Sequence, residues 1–227
     1  MRIVGGALGA ADRVMSFDIV CFDCDSTLSR VEGIDELARH GGLFDEVAAL
    51  TDRAMNGELR LEEVYARRLE LIKPDQASMD WLAKLYIAEM VEGAAETIRT
   101  LHEHGKPVHI ISGGLRQAIL PLAALLGIAD DQVHAVDVFF DEQGAYADFA
   151  RQSPLAVSGG KARICRRLRM RFSALAMVGD GKTDLEAREA GAFMIGFGGV
   201  VKRPLVVEQA DVFVDDAALT AVLPHLL

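Results

Sequence analysis

One stretch near the start of the chain constrains its fold more than any other, namely Phe17-Asp-Ile-Val-Cys-Phe-Asp-Cys-Asp-Ser-Thr-Leu28. Its apolar run carries no charge between Asp18 and Asp23, which predicts a buried strand. The run ends in two carboxylates, Asp23 and Asp25, separated by one residue. Buried carboxylates are costly unless they are paired or bound to a metal, and ligands of open α/β sheets bind at the carboxyl ends of the strands. The stretch therefore predicts a cation site; the alternative is a strand that simply runs into an acidic turn.

Length and charge argue against several classes of function. A chain of 227 residues can form one large domain or one domain with an insert. Its formal net charge of -10 argues against nucleic acid or an anionic membrane as a partner, and no apolar run is long enough to span a membrane. Residues 1–16 are interpreted as an N-terminal tail or edge segment, because Asp12 and Arg13 interrupt any signal-peptide core. Together these features predict a cytoplasmic protein.

The cysteines do not predict a disulfide framework, a redox centre or a zinc site. They number three, at positions 21, 24 and 165, with no framework spacing. Cys21 and Cys24 match the C-x-x-C pattern, but residues three apart on a strand point to opposite faces of the sheet. A second pair of zinc ligands is missing from the sequence.

Apolar periodicity divides the chain into a core and an insert. Four consecutive helical patterns cover residues 33–40, 43–55, 59–72 and 75–90. After Val91 strands and helices alternate, with strand patterns at 107–111, 174–178, 192–197 and 212–214 and a hairpin pattern at 136–140 and 145–149. Such alternation predicts a doubly wound parallel α/β sheet. We expect residues 17–28 and 91–227 to form the α/β core and residues 29–90 a helical cap.

Polar side chains follow three of the predicted strands. Besides Asp23 and Asp25, these are Ser112 in Ser112-Gly-Gly114 and Asp180 in Gly179-Asp-Gly-Lys-Thr-Asp184. A few carboxylates together with water and phosphate oxygen are typical ligands of Mg²⁺. Ser112 with the backbone N–H groups after it can hold phosphate oxygens, and Lys161 adds a point charge for the same anion. Each piece is weak alone, since a Ser-Gly-Gly can also be a plain turn into a helix, but together they predict a site for Mg²⁺ and phosphate.

The order and spacing of these motifs resemble those of the haloacid dehalogenase superfamily of phosphatases. Residues 22–28 fit its D-x-D-S-T signature, and later motifs are matched by residues 111–114, 158–161 and 178–187. Val31-Glu-Gly-Ile-Asp-Glu-Leu-Ala38 is similar to the segment that follows the signature in the phosphoserine phosphatase family. The resemblance covers about residues 17–215. It implies a Rossmann-like core with an inserted helical-bundle cap.

The resemblance also implies a role for each residue of the site. Asp23 would attack phosphorus to form an aspartyl-phosphate, and Asp25 would protonate the leaving alkoxide and then deprotonate the hydrolytic water. The implied ligands of Mg²⁺ are Asp23, the backbone carbonyl of Asp25 and Asp180, supported by Asp184, and those of phosphate are Ser112, Gly113 and Lys161. Covalent catalysis and preorganised charge are both suited to phosphoryl transfer.

Substrate selection is expected from the cap. The resemblance implies that Glu32 binds a substrate ammonium and Arg68 a carboxylate, with Met55 and Thr183 also contacting the substrate, which predicts phosphoserine. Helical periodicity independently places Arg68 in the middle of an apolar face formed by Leu61, Val64, Tyr65, Leu69 and Ile72. A central arginine faces an acid or a ligand, or else extends its head to solvent. Departures from the family pattern at Leu61, Val157, Lys182 and Val200 loosen the substrate assignment.

Three other interpretations remain open at this stage. The chain could hydrolyse another small phosphomonoester, act as a mutase, or serve as a phospho-receiver switch. Receivers are about half this length and lack an acid two residues after the phosphorylated aspartate, so Asp25 favours turnover over signalling. In all but the last case the partner is a small-molecule phosphomonoester. The protein is expected to be a monomer or a homodimer.

Overall fold

Six of the eight strands that the structure describes form one parallel sheet, and the other two form a separate antiparallel pair. A computed structural model describes residues 16–55 and 61–227, and for residues 51–55 and 61 it describes the backbone alone. Apart from Ser16, the predicted N-terminal tail therefore lies outside the described residues. The strands are β1 (Ile19–Phe22), β2 (Val108–Leu115), β3 (Val133–Val136), β4 (Val138–Phe140), β5 (Tyr146–Phe149), β6 (Leu175–Gly179), β7 (Phe193–Phe197) and β8 (Val212–Val214). Six of them pair in parallel in the order β3-β2-β1-β6-β7-β8, which confirms the predicted α/β fold.

Strand β1 lies in the middle of this sheet. Its partners are β2, where Val20 pairs with Val108, and β6, where Ile19 pairs with Leu175. All residues of β1 are buried. Continuous burial without alternation is characteristic of a strand in a parallel sheet that is covered on both faces. It explains why the run before Asp23 is uniformly apolar.

Five helices lie between β1 and β2, and from β5 onward helices and strands alternate. The helices are α1 (Gly33–His40), α2 (Phe44–Met55), α3 (Leu61–Ile72), α4 (Gln76–Ala88), α5 (Ala94–Glu103), α6 (Arg116–Leu125), α7 (Gly160–Leu168), α8 (Lys182–Leu185) and α9 (Pro204–Gln209). Helix α4 packs against both α1 and α6. The Asp75 side chain caps α4 by accepting a hydrogen bond from Ser78 N at 2.8 Å. The division into a cap of residues 29–90 and a core remains a prediction.

The chain leaves β1 and returns from α4 through two adjacent segments. Val91 N donates to Leu28 O at 3.0 Å, and Arg30 N donates to Glu89 O at 2.9 Å. The Ser29 hydroxyl also donates to Glu89 O at 3.1 Å. These bonds tie the two crossings together next to the end of β1.

The structure differs from the sequence predictions in three elements. The predicted hairpin is confirmed, with Val138 paired to Phe149, but strand β3 precedes it and was not predicted. Strand β2 continues to Leu115 with a register irregularity, whereas the pattern placed its end before Ser112. Helix α9 begins at Pro204 and is too short for its periodicity to be recognised. No helix in the described part of the chain is both long and apolar enough to cross a membrane.

Candidate active site

The predicted acidic residues meet at the carboxyl edge of the sheet. Asp23 directly follows β1, and its backbone N–H donates to Val178 O of β6 at 2.9 Å. Asp180 directly follows β6, whose Val178 pairs with Phe22. Because neighbouring parallel strands end at the same edge, the pattern of acids after strands becomes a cluster of acids in space.

A buried lysine joins Asp23 to a further acid of the site, Asp184. Lys161 lies near the start of α7, and its Nζ is 2.6 Å from Asp23 Oδ2 and 2.5 Å from Asp184 Oδ1. Burial lowers the pKa of Lys161, but the two carboxylates raise it by more, so that the net pKa lies above its ordinary value. The ammonium is therefore charged throughout the physiological range. It is positioned to bind an anion beside Asp23 as well as to balance the acids.

Three carboxylates of the site fit a divalent cation. Oxygens of Asp23, Asp180 and Asp184 lie within 4.8 Å of one another, and all three residues are buried. Burial and the charge of Asp23 raise the pKa of Asp180, which reflects the cost of holding this negative charge away from water. Hard oxygen donors grouped in this way are typical ligands of such a cation. The cluster includes Asp184, to which the resemblance gives a supporting role, whereas the Asp25 side chain is not part of it.

The Asp25 carboxyl points to the helical side of the site instead. Its Oδ2 accepts a hydrogen bond from Gly33 N at 3.0 Å, and its Oδ1 accepts one from the Tyr86 hydroxyl at 2.6 Å. Burial and the charges of Glu32 and Asp23 raise the pKa of Asp25 to about 8, although both hydrogen bonds act to lower it. A carboxyl group that keeps its proton near neutral pH can act as a general acid.

The Ser112-Gly-Gly segment is fixed by internal hydrogen bonds. Gly114 N donates to Ser112 Oγ at 3.1 Å, and Ser112 is buried. The Tyr65 hydroxyl of α3 donates to Gly113 O at 2.9 Å. The Gly113–Gly114 peptide therefore has a defined orientation, as a phosphate-binding segment requires, because its carbonyl oxygen and its N–H are both hydrogen-bonded. Tyr65 is a site residue that the sequence did not reveal, because its spacing fitted a purely apolar face.

Arg68 lines a cavity that Tyr65 and the Ser112-Gly-Gly segment also line. Its Nε is buried and has no hydrogen-bond partner among the described residues. Burial lowers the pKa of Arg68 below its ordinary value, and the nearby Tyr65, Asp35 and Glu32 offset this lowering only in part. A buried guanidinium N–H without a partner is costly, so the position favours an anionic ligand over a structural role.

Glu32 belongs to a polar chain that crosses the site. Its Oε1 accepts from Ser26 Oγ at 2.8 Å and from Arg203 Nη2 at 3.2 Å. Arg203 Nε in turn donates to Asp180 Oδ2 at 3.0 Å. The sequence did not reveal Arg203, which lies in no motif and directly precedes α9. It links the predicted ammonium-binding acid to a predicted metal-binding acid.

The remaining predicted residues are placed as follows. Thr183 lines the cavity from α8, whereas Met55 ends α2 and its side chain lies outside the described residues. The same holds for the side chain of Leu61. Lys182 is exposed, and the side chains of Val157 and Val200 are half-buried.

One cavity of about 280 Å³ brings most of the predicted residues together. It is lined by Asp23, Asp25, Glu32, Gly33, Ile34, Tyr65, Arg68, Leu82, Tyr86, Ser112, Gly113, Gly114, Leu115, Leu155, Lys161 and Thr183. A cavity of this size suits a small molecule. Its two cationic side chains, Arg68 of α3 and Lys161 of α7, suit a ligand with two anionic groups.

Replacing Lys161 should destabilise the metal-free protein. We expect Lys161→Met to lower the free energy of unfolding by about 3–5 kcal/mol, because it leaves two buried carboxylates without their counter-ion. Urea unfolding in the presence of a chelator measures the change. The control is Lys202→Met, which breaks a pair to Asp215 in which both side chains are more than half exposed (56% and 57%) and should cost about 0–1 kcal/mol. Equal costs for both variants would contradict the buried pairing.

The chain is similar in sequence and in structure to known phosphatases. The family model of the haloacid dehalogenase-like hydrolases matches residues 17–191. The phosphoserine phosphatase of Mus musculus is 39% identical over 203 residues, which cover 88% of this chain and 90% of the mouse protein. A substrate-bound phosphoserine phosphatase complex is 26% identical, with a TM-score of 0.77 over 92% of this chain and 98% of that one. A phospho-aspartyl intermediate analogue of phosphoserine phosphatase is also 26% identical, with a TM-score of 0.73 over 93% and 100% of the two chains.

Proposed function

Since the chain belongs to the haloacid dehalogenase-like hydrolases and is a phosphatase, we propose that it hydrolyses phosphoserine to serine and phosphate, with Mg²⁺ as its metal. The observation that supports the substrate is the buried Arg68 Nε on the cavity wall, which has no hydrogen-bond partner within residues 16–55 and 61–227, with Glu32 lining the same cavity. A guanidinium and a carboxylate are the groups that recognise the two charged ends of an amino acid. The phosphoryl group then lies with Lys161 and Ser112.

In the first step Asp23 attacks phosphorus. A bond forms between its carboxylate oxygen and phosphorus while the bond from phosphorus to the serine oxygen breaks, and the proton of Asp25 passes to that oxygen. Cys24 N donates to Asp23 Oδ1 at 2.7 Å and Lys161 holds Oδ2, so the nucleophile is oriented before substrate binds. The product of this step is serine and an aspartyl-phosphate.

In the second step water attacks the aspartyl-phosphate. Asp25, now ionised, takes a proton from the water, and the bond from phosphorus to Asp23 breaks to regenerate both carboxyl groups. Mg²⁺, held by Asp23, the Asp25 carbonyl and Asp180 with Asp184 in support, would supply positive charge against the phosphoryl oxygens. Lys161, Ser112 and the Gly113 peptide supply the protein's own share of that stabilisation.

The proposed substrate is tested by phosphate release in the presence of Mg²⁺. Phosphoserine should be the preferred substrate in a panel that also contains sugar and nucleotide monophosphates. Preference for another member of the panel would move the assignment to another phosphomonoesterase. Product phosphorylated at a new position would indicate a mutase, and a slowly decaying phosphoprotein would indicate a receiver switch. Monomer or homodimer, and a cytoplasmic location, remain predictions.

Arg68→Ala should impair phosphoserine selectively. Losing one partner of a buried charged pair costs about 2–5 kcal/mol, and solvent entering the emptied position reduces the loss, so kcat/KM for phosphoserine should fall roughly 10- to 1,000-fold. An aryl phosphate has no carboxylate and should change far less. The matched control is Arg67→Ala, the exposed neighbour on the same helix, which should leave both substrates unaffected. Equal losses on both substrates in Arg68→Ala would mean that Arg68 is structural.

A further inference from the structure

We propose that Tyr86 is a positioning residue for Asp25 and selects substrates that need protonation of the leaving group, an inference that rests on the proposed function. The Tyr86 hydroxyl donates to Asp25 Oδ1 at 2.6 Å. Tyr86 lies on α4, far along the chain from the motif that contains Asp25, and its side chain is fully buried. None of the sequence motifs includes it.

The hydroxyl is held where it is by close packing. A Cβ at Gly33 would lie 2.2 Å from Tyr86 Oη, so only glycine at the start of α1 leaves room for the hydroxyl beside Asp25. A Cβ at Gly114 would lie 3.5 Å from the same oxygen, which places Tyr86 next to the predicted phosphate-binding segment as well. Tyr86 therefore contributes to the wall of the site.

Both carboxyl oxygens of Asp25 accept hydrogen bonds from the helices that follow β1, namely from α1 and α4. Gly33 N donates to Oδ2 and Tyr86 to Oδ1, so that each oxygen of the carboxyl group already accepts one hydrogen bond. The plane of the carboxyl group is thereby fixed. A general acid must present its proton to the leaving oxygen within hydrogen-bond reach, which makes this orientation part of the first step.

The hydrogen bond also changes in strength during that step. As Asp25 gives up its proton, negative charge grows on its oxygens, and a hydrogen bond to a charged acceptor is stronger than one to a neutral acceptor. Tyr86 thus stabilises the transition state more than the ground state. The benefit exists only when the leaving group requires a proton. An alkoxide such as that of serine does, whereas a nitrophenolate leaves readily without one.

The test compares leaving groups in Tyr86→Phe. The parameter is kcat/KM, because it covers the steps up to cleavage of the first bond and not hydrolysis of the intermediate. We expect kcat/KM for phosphoserine to fall about 10- to 100-fold, as for loss of a hydrogen bond to a charged group. For p-nitrophenyl phosphate the change should be about threefold or less. Across a series of aryl phosphates, the loss should grow as the leaving group becomes more basic.

Two further variants make the result decisive. Tyr146→Phe is the matched control, since the Tyr146 hydroxyl has no hydrogen-bond partner among the described residues, and it should leave both substrates unaffected. Gly33→Ala keeps the tyrosine but displaces its hydroxyl from Asp25. If Tyr86→Phe folds poorly, Gly33→Ala should show the same selective loss. The role of Tyr86 would be overturned if the variant that folds lost kcat/KM equally on phosphoserine and p-nitrophenyl phosphate. It would also be overturned if that variant lost kcat/KM on neither substrate.

The outcome is distinguishable from a failure of the proposed substrate. If the wild-type protein does not hydrolyse phosphoserine but hydrolyses another alkyl phosphate, the substrate assignment is contradicted. In that case the same comparison of alkyl with aryl leaving groups still tests Tyr86.

Discussion

Asp23→Asn should abolish turnover and covalent labelling together. An amide oxygen is too weak a nucleophile to form the acyl-phosphate, so the reaction loses its first step and not merely a stabilising contact. The exchange is nearly isosteric, and Lys161 keeps Asp184 as a partner at 2.5 Å, so that the fold should survive. Labelling with beryllium fluoride, which mimics an aspartyl-phosphate, reports on the nucleophile separately from turnover.

The control for this variant is Asp215→Asn, which removes an exposed acid of the same type from the surface. It should retain wild-type turnover and labelling. Retention of more than a few per cent of the activity in Asp23→Asn would show that another group attacks phosphorus.

Asp25→Asn should slow turnover while preserving metal binding. General acid–base catalysis contributes about 10²–10⁴-fold, so kcat should fall by about that factor. The Asp25 side chain bonds to Gly33 and Tyr86 and lies outside the cluster of Asp23, Asp180 and Asp184. Its exchange for an amide should therefore change the affinity for Mg²⁺ little, as measured by calorimetry. A collapse of metal binding would mean that the Asp25 side chain is a ligand and that its assigned role is wrong.

The sequence predicted those parts of the site that come from local pattern. Asp23 and Asp180 follow apolar runs, and the ends of parallel strands meet by construction, so two residues far apart in the chain could be brought together without a structure. Arg68 stood out for a similar reason, as a charge within an apolar helical face. In each case periodicity carried the spatial information.

Contacts between elements could not be predicted in this way. The hydrogen bonds from Tyr86 to Asp25 and from Arg203 to Asp180 depend on how helices pack on the sheet, and neither residue departs from the pattern around it. Tyr65 looked apolar because its ring does pack with the core, while its hydroxyl reaches Gly113. Strand β3 is too short, with only its two end residues buried, to show the alternation that would identify it.

The central position of β1 also determines when this protein can fold during synthesis. Ile19 leaves the ribosome long before its partner Leu175, which lies in β6. At about 5–20 residues per second, the apolar strand that leads to Asp23 waits roughly 10–30 s for its second neighbour. During this interval α1–α5 and β2 are made, so that β1 can pair along one edge but not along the other. The apolar run that ends in Asp23 is therefore made long before its pairing in the sheet can be completed.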